Sequence, residues 1–147
     1  AHAEGLLVVL WIYPRGEAVT DEKAADLIAG AAGVALCLGA DFVKVNPPAA
    51  ADGKSSAELL AVASRAAGRT GLVCAGGSKA DAREFLASLY DQIHVGGAVG
   101  NATGRNIHMR SLDEAVRLTQ AISAITLGDY DVEEAMDVFE GKEHFTL

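Results

Sequence analysis

The sequence predicts a parallel α/β fold, on three observations. Short apolar runs alternate with longer segments whose apolar residues recur every three or four positions. The connections are short, and no strand candidate has a neighbour with which it could form a hairpin. The run of residues 41–45 lies between Gly39, which can end a helix, and the pair Pro47-Pro48, as is typical of a buried parallel strand. The order is therefore a series of four strand–helix units.

Composition and charge indicate one globular domain spanning residues 1–147. Half of the residues are hydrophobic and the net charge is −8, so the basic face of a general nucleic-acid binder is not expected. No apolar run approaches the roughly 20 residues that span a bilayer, and no secretory signal is visible. We therefore expect a cytoplasmic protein that binds neither nucleic acid nor membrane.

The first unit begins with the apolar run of residues 6–12, which is typical of a strand covered on both faces. Residues 13–16 form a turn. Thr20 and Asp21 are N-cap candidates for a helix that we expect to end near Leu38. Its apolar stripe consists of Leu27, Ile28, Ala31, Val34, Ala35 and Leu38.

The second and third units have clear boundaries. After the strand of residues 41–45, Ser55 or Ser56 can cap a helix that ends at Gly68. The third strand is residues 71–75, and its helix is residues 81–90. The first of these helices carries the apolar residues Leu59, Leu60, Val62 and Ala63, and the second is expected to turn Phe85, Leu86 and Leu89 inward.

The fourth unit is more irregular. We predict a strand over residues 92–95, a Gly-rich loop over 96–104 and a short helix over 105–109. Ser111 and Glu114 fit a capping box that opens the next helix. This helix carries the apolar residues Ala115, Val116, Leu118, Ile122 and Ile125. An amphipathic helix over 132–139 and a tail over 141–147 follow.

Lys44 is the candidate reactive group. Because side chains alternate along a strand, Val43 and Val45 share one face. Phe42, Lys44 and Asn46 share the other. A buried amine tends to lose its proton, and the neutral amine can form a Schiff base with a carbonyl. The alternative is a strand-end lysine whose ammonium extends to solvent.

Two loops that follow later strands are candidates for an anion site, because active groups of parallel sheets and barrels collect at the carboxyl ends of the strands. Gly76, Gly77 and Ser78 lead from a strand into a helix, where free N–H groups can bind phosphate. Gly104 and Arg105 begin a short helix and add a guanidinium. Either loop alone could be an ordinary turn, but the two together predict a phosphate site.

Trp11, Tyr13 and Arg15 lie at the carboxyl end of the first strand. Trp11 and Tyr13 could be a core aromatic pair, but a phenol beside an amine and a phosphate loop is suited to proton transfer. Arg15 could bind a substrate anion or a neighbouring carboxylate.

Other reactive groups give weaker patterns. His94 is expected to be a core histidine of the fourth strand, and His108 to pack near Arg105. No His, Cys and carboxylate set has metal-ligand spacing, so no metal is expected. Cys37 and Cys74 suggest free thiols in a reducing compartment, although the sequence leaves a disulfide between them open.

Four segments, taken together, resemble the archaeal-type class I fructose-bisphosphate aldolase family, which also includes transaldolase-like sugar synthases. They are Val9-Leu10-Trp11-Ile12-Tyr13-Pro14-Arg15-Gly16, Gly39-Ala40-Asp41-Phe42-Val43-Lys44, Ala75-Gly76-Gly77-Ser78-Lys79 and Gly104-Arg105-Asn106. The resemblance runs from about Leu6 to past Arg110. One departure is Asn46-Pro47-Pro48, where many relatives have a Tyr-Thr-Gly-like loop.

The resemblance implies an eight-stranded (β/α) barrel and the reversible cleavage of fructose 1,6-bisphosphate without a cofactor. Lys44 would form the Schiff base, Tyr13 would transfer the proton, and Trp11 would shape the pocket. The substrate phosphate would be held by Gly76, Gly77, Ser78, Gly104 and Arg105.

Length limits this expectation, because a full barrel needs about 250 residues. The resemblance implies that this chain is the second half of a barrel, without the early-strand aspartate that assists catalysis. We therefore expect a homo-oligomer or association with the missing half. Two other readings are a transaldolase-like or thiolase-like enzyme on another phosphorylated keto compound, and a phosphate-binding half-barrel without turnover.

Overall fold

The computed structural model describes residues 1–146, which form a parallel sheet with the strand order β1-β2-β3-β4. The strands are β1 (Val9–Trp11), β2 (Phe42–Val45), β3 (Gly71–Ala75) and β4 (Gly100–Ala102). Each pairs in parallel with the next. The predicted α/β class is confirmed.

Helices connect and follow the strands, and a short 3-10 helix (His2–Glu4) precedes β1. The α-helices are α1 (Ala25–Cys37), α2 (Ser56–Ala67), α3 (Ala82–His94), α4 (Arg105–His108), α5 (Leu112–Gly128) and α6 (Val132–Glu140). In the described residues, no helix is both long and apolar enough to cross a membrane.

The predicted capping box at Ser111 is confirmed, and the predicted cap at Ser55 also forms a complete capping box. Ser55 accepts a hydrogen bond from the backbone of Glu58, whose carboxylate accepts one from the Ser55 N–H. Ser111 and Glu114 make the same reciprocal pair at the start of α5. Each box satisfies N–H groups that a helix start otherwise leaves unpaired.

The helices cover one face of the sheet. Val43 and Val45 of β2 and Cys74 of β3 are fully buried there, in a core shared with α1 and α2. A second core joins α3, α5 and α6 around Leu86 and Leu118. The opposite face, which carries the alternate residues of the strands, is only partly buried. The sheet therefore presents an open face on the side of Lys44.

The predicted fourth strand is wrong. Residues 92–94 complete α3, and β4 lies in the segment that the sequence assigned to a loop. Ile93 extends the apolar stripe of α3 toward the second core. His94 is therefore not a core histidine: its exposed ring lies at the end of α3, 4.1 Å from the ring of Tyr90.

The first unit also differs from expectation. β1 is shorter than predicted, and Trp11 is 59% exposed because no described element covers it. α1 begins at Ala25, without a side-chain cap from Thr20 or Asp21. Val34 and Leu38 of the predicted apolar stripe are exposed instead, and so are the apolar residues Val62 of α2 and Val116 of α5.

The two cysteines are free thiols. Cys37 is exposed at the end of α1, and Cys74 is buried in β3. Burial raises the pKa of the Cys74 thiol to about 12, because the thiolate would be poorly solvated.

Asp41 holds the N-terminal segment against the amino end of the sheet. Its Oδ2 accepts a hydrogen bond from the Val8 N–H at 2.7 Å and lies 2.8 Å from His2 Nε2. The Val8 N–H, followed by His2, lowers the pKa of the Asp41 carboxyl. The carboxylate therefore aligns the chain entering β1 with the start of β2.

We predict that Asp41→Asn lowers the melting temperature by a few degrees at neutral pH. The depressed pKa means that Asp41 contributes stability above its ordinary value of 3.8. This contribution is lost as the pH falls through the lower folded value. Thermal melts across the acid range should therefore show a shallower pH dependence for the variant. Asp91→Asn is the control, because Asp91 is exposed and its side chain makes no hydrogen bond within residues 1–146; equal slopes for both variants would contradict the assignment.

Candidate active site

Lys44 lies near the carboxyl end of β2, on the open face of the sheet. In the strand register it is opposite Trp11 on one side and Val73 on the other. Its Nζ is 5.3 Å from the centroid of the Trp11 ring, a distance typical of a cation–π contact. No carboxylate in residues 1–146 forms an ion pair with Lys44. The amine is thus packed against an aromatic ring and remains accessible.

A cavity of about 380 Å³ opens at the carboxyl ends of the strands. Six of the predicted site residues line it together: Tyr13, Lys44, Gly76, Gly77, Gly104 and Arg105. The parallel register explains this, because it brings the ends of all four strands to the same edge.

Two predicted site residues lie beside this cavity without lining it. Trp11 contacts the Lys44 ammonium through its ring. Ser78 belongs to the loop after β3, and its carbonyl accepts a hydrogen bond from Asn106 at 3.0 Å. The lining also includes Arg15, Asn46 and His108.

The charges around the cavity are of one sign. Arg15, Lys44 and Arg105 line it, and no aspartate or glutamate of the described chain does. This is unusual in a chain whose net charge is −8. A concave site lined by cations concentrates anions, so the cavity is suited to an anionic ligand.

Tyr13 and Arg15 lie next to each other in the lining of the cavity. The Arg15 guanidinium carbon is 5.6 Å from the centroid of the Tyr13 ring. The Arg15 Nε also donates to Glu22 at 3.2 Å, in an exposed ion pair that contributes little to stability. Arg15 therefore pairs with a neighbouring carboxylate, as one of the two expectations held, and it also lines the cavity where an anion could bind.

The loop after β3 approaches the loop after β4 closely at Gly76. A Cβ on Gly76 would lie 2.5 Å from Thr103 Oγ1 and 2.9 Å from Thr103 Cα. Gly77 has φ 67°, a conformation that glycine adopts at little cost. Within residues 1–146, the N–H groups of Gly77, Ser78 and Lys79 have no acceptor. The loop therefore offers free donors beside the cavity.

The N-terminus of α3 does not contribute to this anion site. Asp81 caps it, accepting hydrogen bonds from the N–H groups of Arg83 and Glu84. A carboxylate already occupies the positive end of the helix. Gly76, Gly77 and Ser78 lie between β3 and α3 as expected, but the free N–H groups beside the cavity belong to the loop and not to the first turn of α3.

Asn106 is a residue of this region to which the sequence assigned no role. It is fully buried, and its Nδ2 donates to the carbonyls of Gly76 at 2.6 Å and Ser78 at 3.0 Å. Its Oδ1 accepts from the Ala80 N–H at 2.8 Å. The signal in the sequence was its place directly after Arg105, at the start of a helix that borders two Gly-rich segments.

A second cavity, of about 580 Å³, lies at the opposite end of the sheet around Asp41, Phe42 and Arg69. No predicted site residue lines it. In residues 1–146, no three His, Cys, Asp or Glu side chains come together as a metal site.

Comparison with known proteins places these features in a family. A model described as DeoC/LacD family aldolase matches residues 1–110. A solved fructose-bisphosphate aldolase from Slackia heliotrinireducens DSM 20476 is 75% identical, with a TM-score of 0.95 over 98% of this chain and 46% of that chain. A solved archaeal fructose-1,6-bisphosphate aldolase, described with its catalytic lysine covalently bound to the carbinolamine intermediate of the substrate, is 28% identical. Its TM-score is 0.71, over 85% of this chain and 47% of that chain.

A relative from Methanocaldococcus jannaschii is 52% identical over 141 residues, which are 96% of this chain and 44% of the relative. It is named fructose-bisphosphate aldolase/6-deoxy-5-ketofructose 1-phosphate synthase. This chain thus spans about half the length of the proteins it matches. The parallel βα units and this coverage confirm the predicted half-barrel architecture. With the model matching residues 1–110, the chain belongs to the DeoC/LacD family of aldolases.

Proposed function

We propose that this chain carries the Schiff-base site of a class I fructose-bisphosphate aldolase. The observation that supports this most is the cavity in which the Lys44 amine, the Tyr13 phenol and the Gly76 and Gly104 loops meet, with cations and no carboxylate in its lining. The names of the relatives support the same reaction.

In the proposed reaction, the unprotonated Lys44 amine adds to the C2 carbonyl of open-chain fructose 1,6-bisphosphate. Loss of water gives an iminium, which accepts the electron pair of the C3–C4 bond as that bond breaks. The proton of the C4 hydroxyl passes to Tyr13, and C4 leaves as the aldehyde carbon of glyceraldehyde 3-phosphate. Tyr13 returns this proton to C3, and hydrolysis of the resulting iminium frees Lys44 and releases dihydroxyacetone phosphate. Trp11 packs against the Lys44 side chain throughout.

The phosphate next to the reacting ketone is assigned to the two loops. Gly76 lines the site, the N–H groups of Gly77 and Ser78 provide backbone donors, and Gly104 and Arg105 provide the second wall. Charge-assisted hydrogen bonds from N–H groups and a guanidinium are well suited to phosphate oxygens. A phosphorylated sugar is therefore the substrate class that we propose, and the chain acts in an oligomer or with a complementary half-barrel.

A second candidate function is a transaldolase-like synthesis with another phosphorylated keto compound. The name of the Methanocaldococcus jannaschii relative includes 6-deoxy-5-ketofructose 1-phosphate synthase beside the aldolase activity. Both reactions would use the same Lys44 amine, and they would differ in the second substrate. Asn46, which lines the cavity after β2, lies where the choice of this substrate could be made.

The first prediction concerns the amine. Incubation with dihydroxyacetone phosphate followed by borohydride should give a reduced adduct on Lys44, mapped by peptide mass spectrometry. The adduct should be absent from Lys44→Ala and retained by Lys54→Ala, a control at an exposed lysine. A folded protein without an adduct, or an adduct on another lysine, would rule out the proposed role of Lys44.

The second prediction concerns Tyr13. Tyr13→Phe removes the hydroxyl and retains the ring, so the Lys44 adduct should still form. Exchange of a hydroxymethyl proton of dihydroxyacetone phosphate, on the carbon that corresponds to C3 of the hexose, with deuterated solvent should slow by about 10²–10⁴-fold, as expected for loss of a general acid–base group. Proton NMR measures this exchange directly. An unchanged exchange rate would remove Tyr13 from the mechanism.

The third prediction concerns the close approach of the two loops. Gly76→Ala places a Cβ 2.9 Å from the backbone of Thr103, so the loops must separate, and affinity for inorganic phosphate should fall about tenfold. Isothermal titration gives the dissociation constant. Gly100→Ala is the matched control, because its Cβ would meet Thr126 at an ordinary 3.7 Å. Equal affinities for the two variants would show that the loop after β3 does not hold the phosphate.

A further inference from the structure

The hydrogen bonds of Asn106 go to alternate residues of one loop. Its two Nδ2 hydrogens reach the carbonyls of Gly76 and Ser78, and its Oδ1 accepts the N–H of Ala80. Both donors of the side-chain amide and one of its two acceptor positions are used. No other side-chain amide of the described residues forms a hydrogen bond to this loop. Asn106 therefore fixes three peptide groups of the loop at once.

The planarity of the peptide unit gives these contacts a consequence. In a trans peptide, the carbonyl of one residue and the N–H of the next point in opposite directions, and residues 1–146 contain no cis peptide bond. Because the Gly76 carbonyl points to Asn106, the Gly77 N–H points away from it. The same holds for the Ser78 carbonyl and the Lys79 N–H. These N–H groups have no acceptor in the described residues.

The hydrogen bonds of Asn106 also join the two loops of the candidate site. Asn106 follows Arg105, which lines the cavity, so one turn of chain carries both the guanidinium and the amide that holds the other loop. Arg110 forms two further hydrogen bonds between these segments. Its Nε donates to the Asn106 carbonyl and its Nη2 donates to the Ala80 carbonyl, both at 2.8 Å. Lys79 donates to the Met109 carbonyl at 2.9 Å. A displacement of either loop would therefore displace the other.

We infer that Asn106 is a positioning residue for phosphate: it orients the N–H group of Gly77, which lines the cavity, as a donor and holds it in register with Arg105. This inference rests on the proposed function for the identity of the phosphate-bearing ketone, but not for the binding of phosphate itself. Asn106 is buried and does not line the cavity, so it acts through the loop and not by touching the ligand.

Two variants test the role. Asn106→Leu removes all three hydrogen bonds at nearly constant volume, and Asn106→Ala removes them while leaving space that water can enter. If the leucine variant does not fold, the alanine variant provides the measurement. The matched control is Thr70→Val, which removes another buried hydrogen bond, from Thr70 Oγ1 to the Ala40 carbonyl at 2.9 Å, at the opposite end of the sheet.

The first readout is the affinity for inorganic phosphate by isothermal titration. It should fall about tenfold or more in the Asn106 variants, as expected for loss of oriented donors to a charged group, and should be unchanged in Thr70→Val. The second readout is borohydride trapping with dihydroxyacetone phosphate and with dihydroxyacetone. The Asn106 variants should lose the preference for the phosphorylated ketone and still trap the other, whereas general destabilisation would reduce both equally.

The outcomes separate the two proposals. A wild-type protein that binds phosphate but traps neither ketone would refute the proposed aldolase chemistry, and the affinity measurements would still decide the role of Asn106. Asn106 variants that fold and bind phosphate as tightly as the wild type would overturn the positioning role, as would a wild type that binds no phosphate. Equal losses in the Asn106 and Thr70 variants would also overturn it, because they would show an effect of stability alone.

Discussion

The alternation of side chains along β2 determines where the amine lies. Val43 and Val45 enter the helical layer and have no exposed surface, so Lys44 between them faces the other way. A register shift of one residue would expose both valines, at a cost of about 1.5–3 kcal/mol each, and would bury an ammonium beneath α1 and α2. The apolar core under the sheet thus fixes the direction of the reactive group on top of it.

The anion site is held by different physical means. Its loops have few apolar contacts of their own, and glycine at 76 and 77 leaves their backbone free to move. A buried polar group replaces the missing side-chain packing: Asn106 satisfies three backbone groups of the loop. The absence of a side chain at Gly76 allows the loop to approach Thr103 closely. Lys44 is positioned by hydrophobic burial, whereas the loop of the candidate phosphate site is positioned by hydrogen bonds.

Much of this architecture could be predicted from local patterns. β2 and β3 carry β-branched or apolar residues between glycine and proline signals, and the Ser55 and Ser111 capping boxes are complete in the sequence. Because parallel strands share their direction, their carboxyl ends lie at one edge of the sheet, and Lys44 and the Gly-rich loops are therefore expected to lie there together. The family resemblance added roles to these residues, and the comparisons confirmed the family while the individual roles stay predictions.

The errors came from segments whose structure is decided by tertiary partners. Residues 92–95 alternate like a strand, but Ile93 also continues the helical stripe of α3, and packing on the second core decides in favour of the helix. β4 consists of a glycine, an asparagine and an alanine, so its only strand signal is pairing with β3. Asn106 gave no signal beyond its neighbours, because its function depends on a loop 26 to 30 residues away.

The open face of the sheet affects two steps of the proposed chemistry differently: the addition of the Lys44 amine and the cleavage of the carbon–carbon bond. β1 and β4 each have a strand partner on one side only within residues 1–146, and Trp11 beside the amine is 59% exposed. Addition of an amine to a ketone needs the nucleophile and a held phosphate, both of which this chain provides in the proposed function. Efficient carbon–carbon cleavage also needs a site from which water is excluded, because fixed dipoles act most strongly on developing charge in a low dielectric. In the proposed function a complementary half-barrel supplies the covering surface, so adduct formation on Lys44 should depend less on that half than turnover does.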